Sequence, residues 1–310
     1  MSAACLVCLK LTDASTGYHP GFARALFGTG NVPLIDIALA KLHTAALAMV
    51  GHTSLSGIQR KVSLRLPPDK ARLQVAAEGG QYILKPQSVT YPALPENEHV
   101  TMLIVRRLEI ATPPLGLVRL ADESLAYIVK RFDRLEDGTK LLQEDFCQLA
   151  QQPPKDRYAG SAELCARLTL RYATEPVIEA RNLFRLLVCA FWTGNGALHL
   201  KNISLLRRVD GVYVLSPAYD VLCTRLVIHD DVLALSVGGN KKNITRKQWL
   251  ALAKACQLPE RAAVRVLAET ANAEGDALEL VRSSYLPAEM KAQYAAMLTQ
   301  RAKGLAKAVG

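Results

Sequence analysis

Aromatic residues are scarce in this chain, 6% of 310, with only two Trp. No compact stripe interleaves them with Lys and Arg, so the sequence offers no stacking platform for a nucleic acid and direct, specific DNA binding is not expected. The formal charge of +10 still favours an anionic partner such as a nucleotide, RNA or an acidic protein. No apolar run approaches the ~20 residues that span a bilayer. No amphipathic helix with a clustered basic face is present either, so no membrane association is expected. The start, Met1-Ser2-Ala3-Ala4-Cys5, has no charged segment leading into a long apolar stretch, which argues against a secretory leader and for a cytoplasmic protein. Seven cysteines make an odd count. Cys147, Cys165, Cys189 and Cys256 sit in apolar helical patterns, the usage of buried thiols in a reducing compartment rather than of a disulfide framework. Repeats and low-complexity tracts are absent. What remains is half hydrophobic and 21% charged, a globular composition long enough for one large domain or two lobes.

Cys5-Leu6-Val7-Cys8 followed by Tyr18-His19 looks like part of a zinc knuckle. A structural zinc takes four ligands, and Phe22 stands where the fourth would fall. An apolar staple without metal is therefore the expectation. Leu34 to Met49 reads as a supporting helix. Ser54-Leu55-Ser56-Gly57-Ile58-Gln59-Arg60-Lys61 combines small hydroxylated residues with a glycine, so that backbone N–H groups can approach phosphate oxygens while Lys61 adds charge. A plain serine-glycine turn is the alternative. The segment leads into a strand, Val62–Leu66, and then into Leu73–Ala77 and Gln81–Lys85, which the intervening Glu78-Gly79-Gly80 predicts as a hairpin. The second strand ends on Lys85, and a buried ammonium needs a partner. A phosphate is one, as for the strand lysine of protein kinases. A helix starts near Pro95-Glu96-Asn97-Glu98, where Glu96 or Glu98 can reach back to Lys85 or simply complement the helix dipole. Leu115–Leu120 and Leu125–Phe132 complete a sheet that exits through Arg131-Phe132-Asp133-Arg134. Composition then shifts from strands to helices, which predicts lobes of 1–133 and 134–310.

Helices are expected at Gln143–Gln151, Ser161–Tyr172 and Pro176–Trp192. The last is apolar around most of its circumference and stops at Gly194-Asn195-Gly196-Ala197-Leu198-His199-Leu200-Lys201-Asn202. Protein-kinase catalytic loops place a magnesium-binding asparagine five positions after an aspartate base. Asn202 has that spacing from position 197, where an alanine stands. Beyond it, Val209-Asp210-Gly211 turns a hairpin that delivers Ala218-Tyr219-Asp220. Asn202 and Asp220 are the hard oxygen donors that magnesium prefers. Alone, Asp220 reads as a turn residue. Helices from Thr245 to Lys307 supply bulk.

These segments, with Lys130-Arg131-Phe132-Asp133-Arg134, Gln143-Glu144-Asp145-Phe146-Cys147-Gln148 and Gly238-Gly239-Asn240-Lys241-Lys242-Asn243-Ile244-Thr245, occur in one order across most of residues 50–250. In this the chain resembles the HipA-family serine/threonine kinase toxins of bacteria, and most of all the short HipT form. The resemblance implies an α+β, bilobal, protein-kinase-like fold of the HipA and phosphoinositide-kinase kind, with a β-rich N-lobe and a helical C-lobe. It implies ATP and Mg as cofactors. Lys85 would grip the phosphates, and Lys130, Arg131 and Phe132 would lie along the adenine-side hinge, with Gln143 among the nucleotide-binding residues. Asn202 and Asp220 would hold magnesium, while His199 and Lys201 shape the catalytic loop. Ser54 and Ser56 would be autophosphorylated. The implied partners are a HipS-like small protein, a HipB-like DNA-binding antitoxin and, as substrate, an aminoacyl-tRNA synthetase such as the tryptophanyl enzyme with tRNA bound.

Ala197 departs from the pattern, because the family carries an aspartate there that orients and deprotonates the substrate hydroxyl. Since Lys85, Asn202 and Asp220 are all retained, an introduced aspartate-to-alanine change in a working kinase explains the chain better than natural decay into a pseudokinase. Two other readings stand beside it. One is a non-catalytic nucleotide-binding subunit of an antitoxin–DNA complex. The other is a small-molecule or lipid kinase, since the order of the loop also resembles phosphoinositide kinases.

Overall fold

The computed structural model describes residues 3–48 and 60–308. It divides into two compact units, one of Met1–Val100, Pro113–Thr139 and Arg282–Pro287, the other of Thr101–Thr112, Lys140–Val281 and Ala288–Gly310. No helix among the described residues is long and apolar enough to cross a membrane.

The first unit is built on a five-stranded antiparallel sheet of β3 (Val62–Arg65), β4 (Gln74–Val75), β5 (Tyr82–Pro86), β6 (Leu115–Arg119) and β7 (Leu125–Lys130), in the order β4-β3-β5-β7-β6. Val62, Leu64, Leu84, Leu117, Ala126 and Ile128 are fully buried and form its core. The two strands expected to form a hairpin do not pair with each other. Leu64 faces Val75 on β4 and Tyr82 on β5, so β3 lies between them. The intervening loop has to cross the sheet edge, and it does so on Gly79 (φ 70°) and on Gly80, where a Cβ would come within 2.0 Å of Ser63 Oγ. The glycines that read as a hairpin turn are there for that crossing. Preceding the sheet are a small ladder of β1 (Ala3–Ala4) and β2 (Leu11–Thr12), then α1 (Pro20–Phe27) and α2 (Leu39–Ala48). The helix expected from Leu34 starts five residues later, because Leu34 bridges to Arg72 and Asp122 caps the helix by accepting from the N–H of Leu39 at 2.9 Å. The division between the units falls within α3 (Leu94–Arg107).

The second unit carries a three-stranded sheet, β8 (Gln143–Asp145), β9 (Ser204–Arg207) and β10 (Tyr213–Leu215), in the order β10-β9-β8. Gln143-Glu144-Asp145 thus forms a strand where a helix was expected. The helix that follows, α4 (Phe146–Leu149), is a single turn opened by a capping box between Asp145 and Gln148. The bulk is helical: α5 (Ala162–Tyr172), α6 (Pro176–Thr193), α7 (Arg246–Ala255), α8 (Glu260–Asn272), α9 (Glu274–Ser283) and α10 (Ala288–Lys307). As its sequence implies, α6 is enclosed nearly all round. Leu183, Phe184, Val188, Cys189 and Trp192 are fully buried, and the Trp192 indole N–H donates to Leu298 O of α10 at 3.0 Å. All seven cysteines are free, six of them buried.

Candidate functional site

In the first unit, Lys85 sits near the end of β5 with 3% of its surface exposed. Its ammonium bonds the carboxylate of Glu98, itself fully enclosed, and lies 5.4 Å from the centre of the Tyr127 ring. Tyr127 is opposite Lys85 in the β5–β7 register, so the sheet itself supplies that contact. Of the two glutamates in reach, Glu98 is the partner. Glu96, two residues earlier, is half-buried, and burial pushes its carboxyl pKa up. At the end of β7, Arg131 forms a bidentate pair with Asp133 at 2.9 and 2.7 Å, and Arg134 bonds the same carboxylate. Burial alone would raise the Asp133 pKa, but the Arg131 and Arg134 guanidiniums outweigh it and hold the group below the ordinary range. The stability this contributes is present above the unfolded carboxylate pKa near 3.8 and is lost as pH falls through the lowered folded value. Asp133→Asn is expected to cost about 2–3 kcal/mol at neutral pH, read by urea unfolding, with the difference shrinking in acid.

In the second unit, α6 ends at Gly194, whose φ of 73° makes it a left-handed cap. Gly196 answers a different constraint. A Cβ there would lie 2.1 Å from Asp231 Oδ2 and 2.5 Å from Val232 O. That close approach is maintained by Thr224, which accepts from Gly196 N–H at 2.8 Å, donates to Gly194 O at 3.1 Å and contacts the Asp231 carboxylate. Position 197 is held on both sides. Its N–H donates to Oδ1 of the fully buried Asn195 at 2.8 Å. Its carbonyl accepts from Asn202 Nδ2 and from His199 N–H, both at 2.8 Å. Committing the Asn202 nitrogen in this way turns its amide oxygen to the other side. Asp220 has a left-handed backbone, φ 56°. Its neighbour Tyr219 donates from its hydroxyl to Lys201 O at 3.0 Å and bonds Ser204 Oγ. The turn carrying Asp220 is thereby tied to the residues flanking Asn202.

The sequence model of the HipA-like C-terminal domain matches residues 53–278 of this chain. The chain belongs to this family. Among its relatives, "Putative kinase Y4dM" of Sinorhizobium fredii is 34% identical over 236 residues, 70% of this chain and 57% of that protein. A "Putative kinase" of Haemophilus influenzae is 32% identical over 180 residues, 54% and 51%. The chain thus spans little more than half the length of these curated relatives. Among solved structures it is similar to HipA of Shewanella oneidensis, solved in complex with HipB and operator DNA, with a TM-score of 0.71 at 18% identity over 89% of this chain and 73% of that one. It is also similar to the proinflammatory kinase CtkA of Helicobacter pylori, with a TM-score of 0.54 at 14% identity over 74% and 89%. The fold of the HipA-like chain is therefore the α+β fold of these proteins.

Several positions singled out from sequence can be located in this HipA-like domain. Asn202, His199 and Lys201 share the loop after α6. His199 is buried and packs edge-on to Tyr158, ring centres 4.9 Å apart. Lys201 pairs with Asp145 at 2.7 Å, which joins the loop to the cap of α4. Gln143 Nε2 donates to Ser204 Oγ at 3.0 Å, so it reaches the same hydroxyl as Tyr219. Lys130 ends β7 with Arg131 and Phe132 following, and Lys61 immediately precedes β3. Ser54, Ser56 and Gly57 lie outside the described residues. Sequence reasoning missed Asn195, Asp145, Tyr219 and Thr224 as the parts that set the loop. Asn195 and Tyr219 are adjacent to residues already chosen, and Asp145 lies two positions from Gln143. Thr224, however, carries no local signal.

Proposed function

We propose that this chain is the nucleotide-binding core of an ATP- and Mg-dependent serine/threonine protein kinase of the HipA kind, slow or inactive in phosphoryl transfer because Ala197 offers no acceptor for the substrate proton. The observation that carries the reading is the Asn202 loop. Its Ala197-to-Asn202 bond orients an amide oxygen, and Tyr219 keeps Asp220 close to the same turn. An amide and a carboxylate oxygen are a donor set that suits magnesium. Bound there, the ion would neutralise charge on the phosphate oxygens. Lys85 supports the other half of the reading, as a buried cation held by Glu98, and is assigned to the triphosphate. Lys130 to Phe132 are assigned to the adenine side and Gln143 to nucleotide contacts. Ser54 and Ser56 are assigned to autophosphorylation.

For the acceptor, a cavity of about 500 Å³ opens beside the Gly196–Asp231 contact, lined among others by Arg225, Asp231, Lys241, Lys242 and Arg301. Burial, with Arg225 beside it, lowers the Arg301 pKa to about 10, which leaves it cationic at neutral pH. This lining suits an acidic protein segment, in keeping with a substrate such as an aminoacyl-tRNA synthetase. HipS-like and HipB-like proteins are the partners this reading assigns. The S. oneidensis complex of HipA with HipB supports the second.

The test is nucleotide binding by the chain as it stands. Saturating ATP with Mg is expected to raise the unfolding free energy by about 2.7 kcal/mol at a hundred times Kd. Asp220→Ala should remove the Mg dependence of that gain, and Lys85→Met should remove the gain itself. Equal stabilisation of all three proteins would sink the assignment, since the two sets of residues would then not serve one nucleotide. The missing acceptor at Ala197 also favours a second reading, a pseudokinase subunit that binds nucleotide to tune a protein partner. An Ala197→Asp variant that binds Mg-ATP and transfers nothing would support it.

A further inference from the structure

We propose that Cys5, Cys8 and His19 hold one Zn²⁺ through three protein ligands, the fourth position being left to water. The sequence pattern alone, one ligand short of a structural site, favoured an apolar staple; the side-chain placement argues otherwise. Cys5 Sγ, Cys8 Sγ and a His19 ring nitrogen all lie within 4.8 Å of one another, and Cys8 Sγ is 3.4 Å from His19 Nδ1. Tetrahedral zinc with bonds of about 2.3 Å to sulfur and 2.0–2.1 Å to nitrogen places such a pair roughly 3.5–3.6 Å apart. The Cys8–His19 pair is therefore already close to the spacing of a loaded site, and Cys5 Sγ lies within 4.8 Å of both partners.

The backbone is shaped to that end. A tight turn closes the two cysteines, with Leu9 N–H donating to Cys5 O at 2.9 Å and Cys5 N–H to Lys10 O at 2.8 Å. Leu9, directly after Cys8, takes a left-handed φ of 63°, which a branched apolar residue adopts only where the surroundings insist. His19 is the N-cap of α1 yet makes no side-chain capping bond. Its ring turns to Cys8, while its own N–H donates to Cys5 Sγ at 3.5 Å, so the start of α1 holds both sulfurs beside the imidazole. Nor is the turn a loose tail. Leu117 N–H of β6 donates to Leu6 O at 2.7 Å, Tyr18 hydroxyl donates to Leu117 O at 2.6 Å, and His99 Nε2 meets Val7 O at 3.1 Å. An ion here would brace the turn against the central sheet of the first unit. Phe22, one helical turn past His19 with its ring 6.1 Å from the imidazole, accounts for the ligand that is lacking. Two thiolates balance the charge of the ion, and binding releases both thiol protons to solvent.

The test uses the full chain, purified under reducing conditions, stripped with chelator and reloaded with Zn²⁺ or Co²⁺. One equivalent of metal per chain is expected, and the cobalt form should show tetrahedral d–d bands with a sulfur-to-cobalt charge-transfer band. Cys8→Ser, chosen because Cys8 is the less buried sulfur, should weaken binding by on the order of 100-fold. Phe22→Cys should complete the set, tighten binding by a similar factor and strengthen the charge-transfer band. Absence of metal after reloading, or equal loading of wild type and Cys8→Ser, would overturn the proposal. So would isolation of the reduced-purified chain with Cys5 and Cys8 already joined as a disulfide, or a Phe22→Cys protein that binds where the wild type does not.

Discussion

Ala197→Asp is expected to raise ATP-dependent phosphoryl transfer by about 10²–10⁴-fold, the usual share of a positioned general base. The size of the effect follows from how little else must change. The N–H at this position is held by Asn195 and its carbonyl by Asn202 and His199, all at 2.8 Å, so the Cα is fixed before a side chain is added. The site is half-buried, so the new carboxylate need not be taken wholly out of water, and the loop needs no new turn to present it. Labelled ATP in a cell lysate containing tRNA is the measurement, with a synthetase and the chain's own Ser54 and Ser56 as expected products. Ala197→Asn serves as control, since it matches the aspartate in shape but accepts no proton and should leave transfer at the level of alanine. No labelled protein with Ala197→Asp, in a chain that still binds Mg-ATP, would remove the kinase reading and leave the binding subunit.

What could be read from the residues and what could not separates along a physical line. Long periodic segments announced themselves: α5 and α6 begin and end within a residue of expectation, because burial of one or more whole faces writes a repeat into the sequence. The β9–β10 hairpin likewise followed from Val209-Asp210-Gly211, where Gly211 takes φ 85°. Short elements settled by distant partners did not. Gln143-Glu144-Asp145 has no strand pattern of its own and is extended because Ser204 to Leu206 pair with it. Leu73 to Ala77 and Gln81 to Lys85 look like two arms of one hairpin, and only the insertion of β3 between them shows why they are not. At the loop after α6, both glycines were visible but only Gly194 is a cap. The reason for Gly196 is a carboxylate 35 residues further along, Asp231, which no local reading contains. The lysine was the reverse case. An ammonium on an apolar strand demanded a partner on general grounds, and that demand located Glu98 among the candidates before its contact was known.

Lys85→Met should therefore be the most destabilising of the substitutions considered, by about 3–5 kcal/mol, because it takes the Lys85 ammonium away from an enclosed carboxylate. Glu98 has 1% of its side chain exposed and Lys85 4%, so neither group can recover its hydration without local unfolding. The pair is not expected to be strongly stabilising in itself. Removing both charges together, as in Lys85→Met with Glu98→Leu, should return most of the loss, since two well-packed apolar side chains of similar volume replace two costly ions. Urea unfolding of the wild type, the two single variants and the double variant yields the coupling as a double-mutant cycle, expected at more than about 2 kcal/mol given the enclosure. Nucleotide binding then separates structure from function. A double variant that regains stability but gains nothing from Mg-ATP means the ion pair is kept for the phosphate rather than for the fold. A double variant that is stable and binds ATP as the wild type does would deprive Lys85 of its assigned role. A single Lys85→Met within about 1 kcal/mol of wild type, no more than an exposed ion pair is worth, would mean that the two charges are not enclosed together in solution.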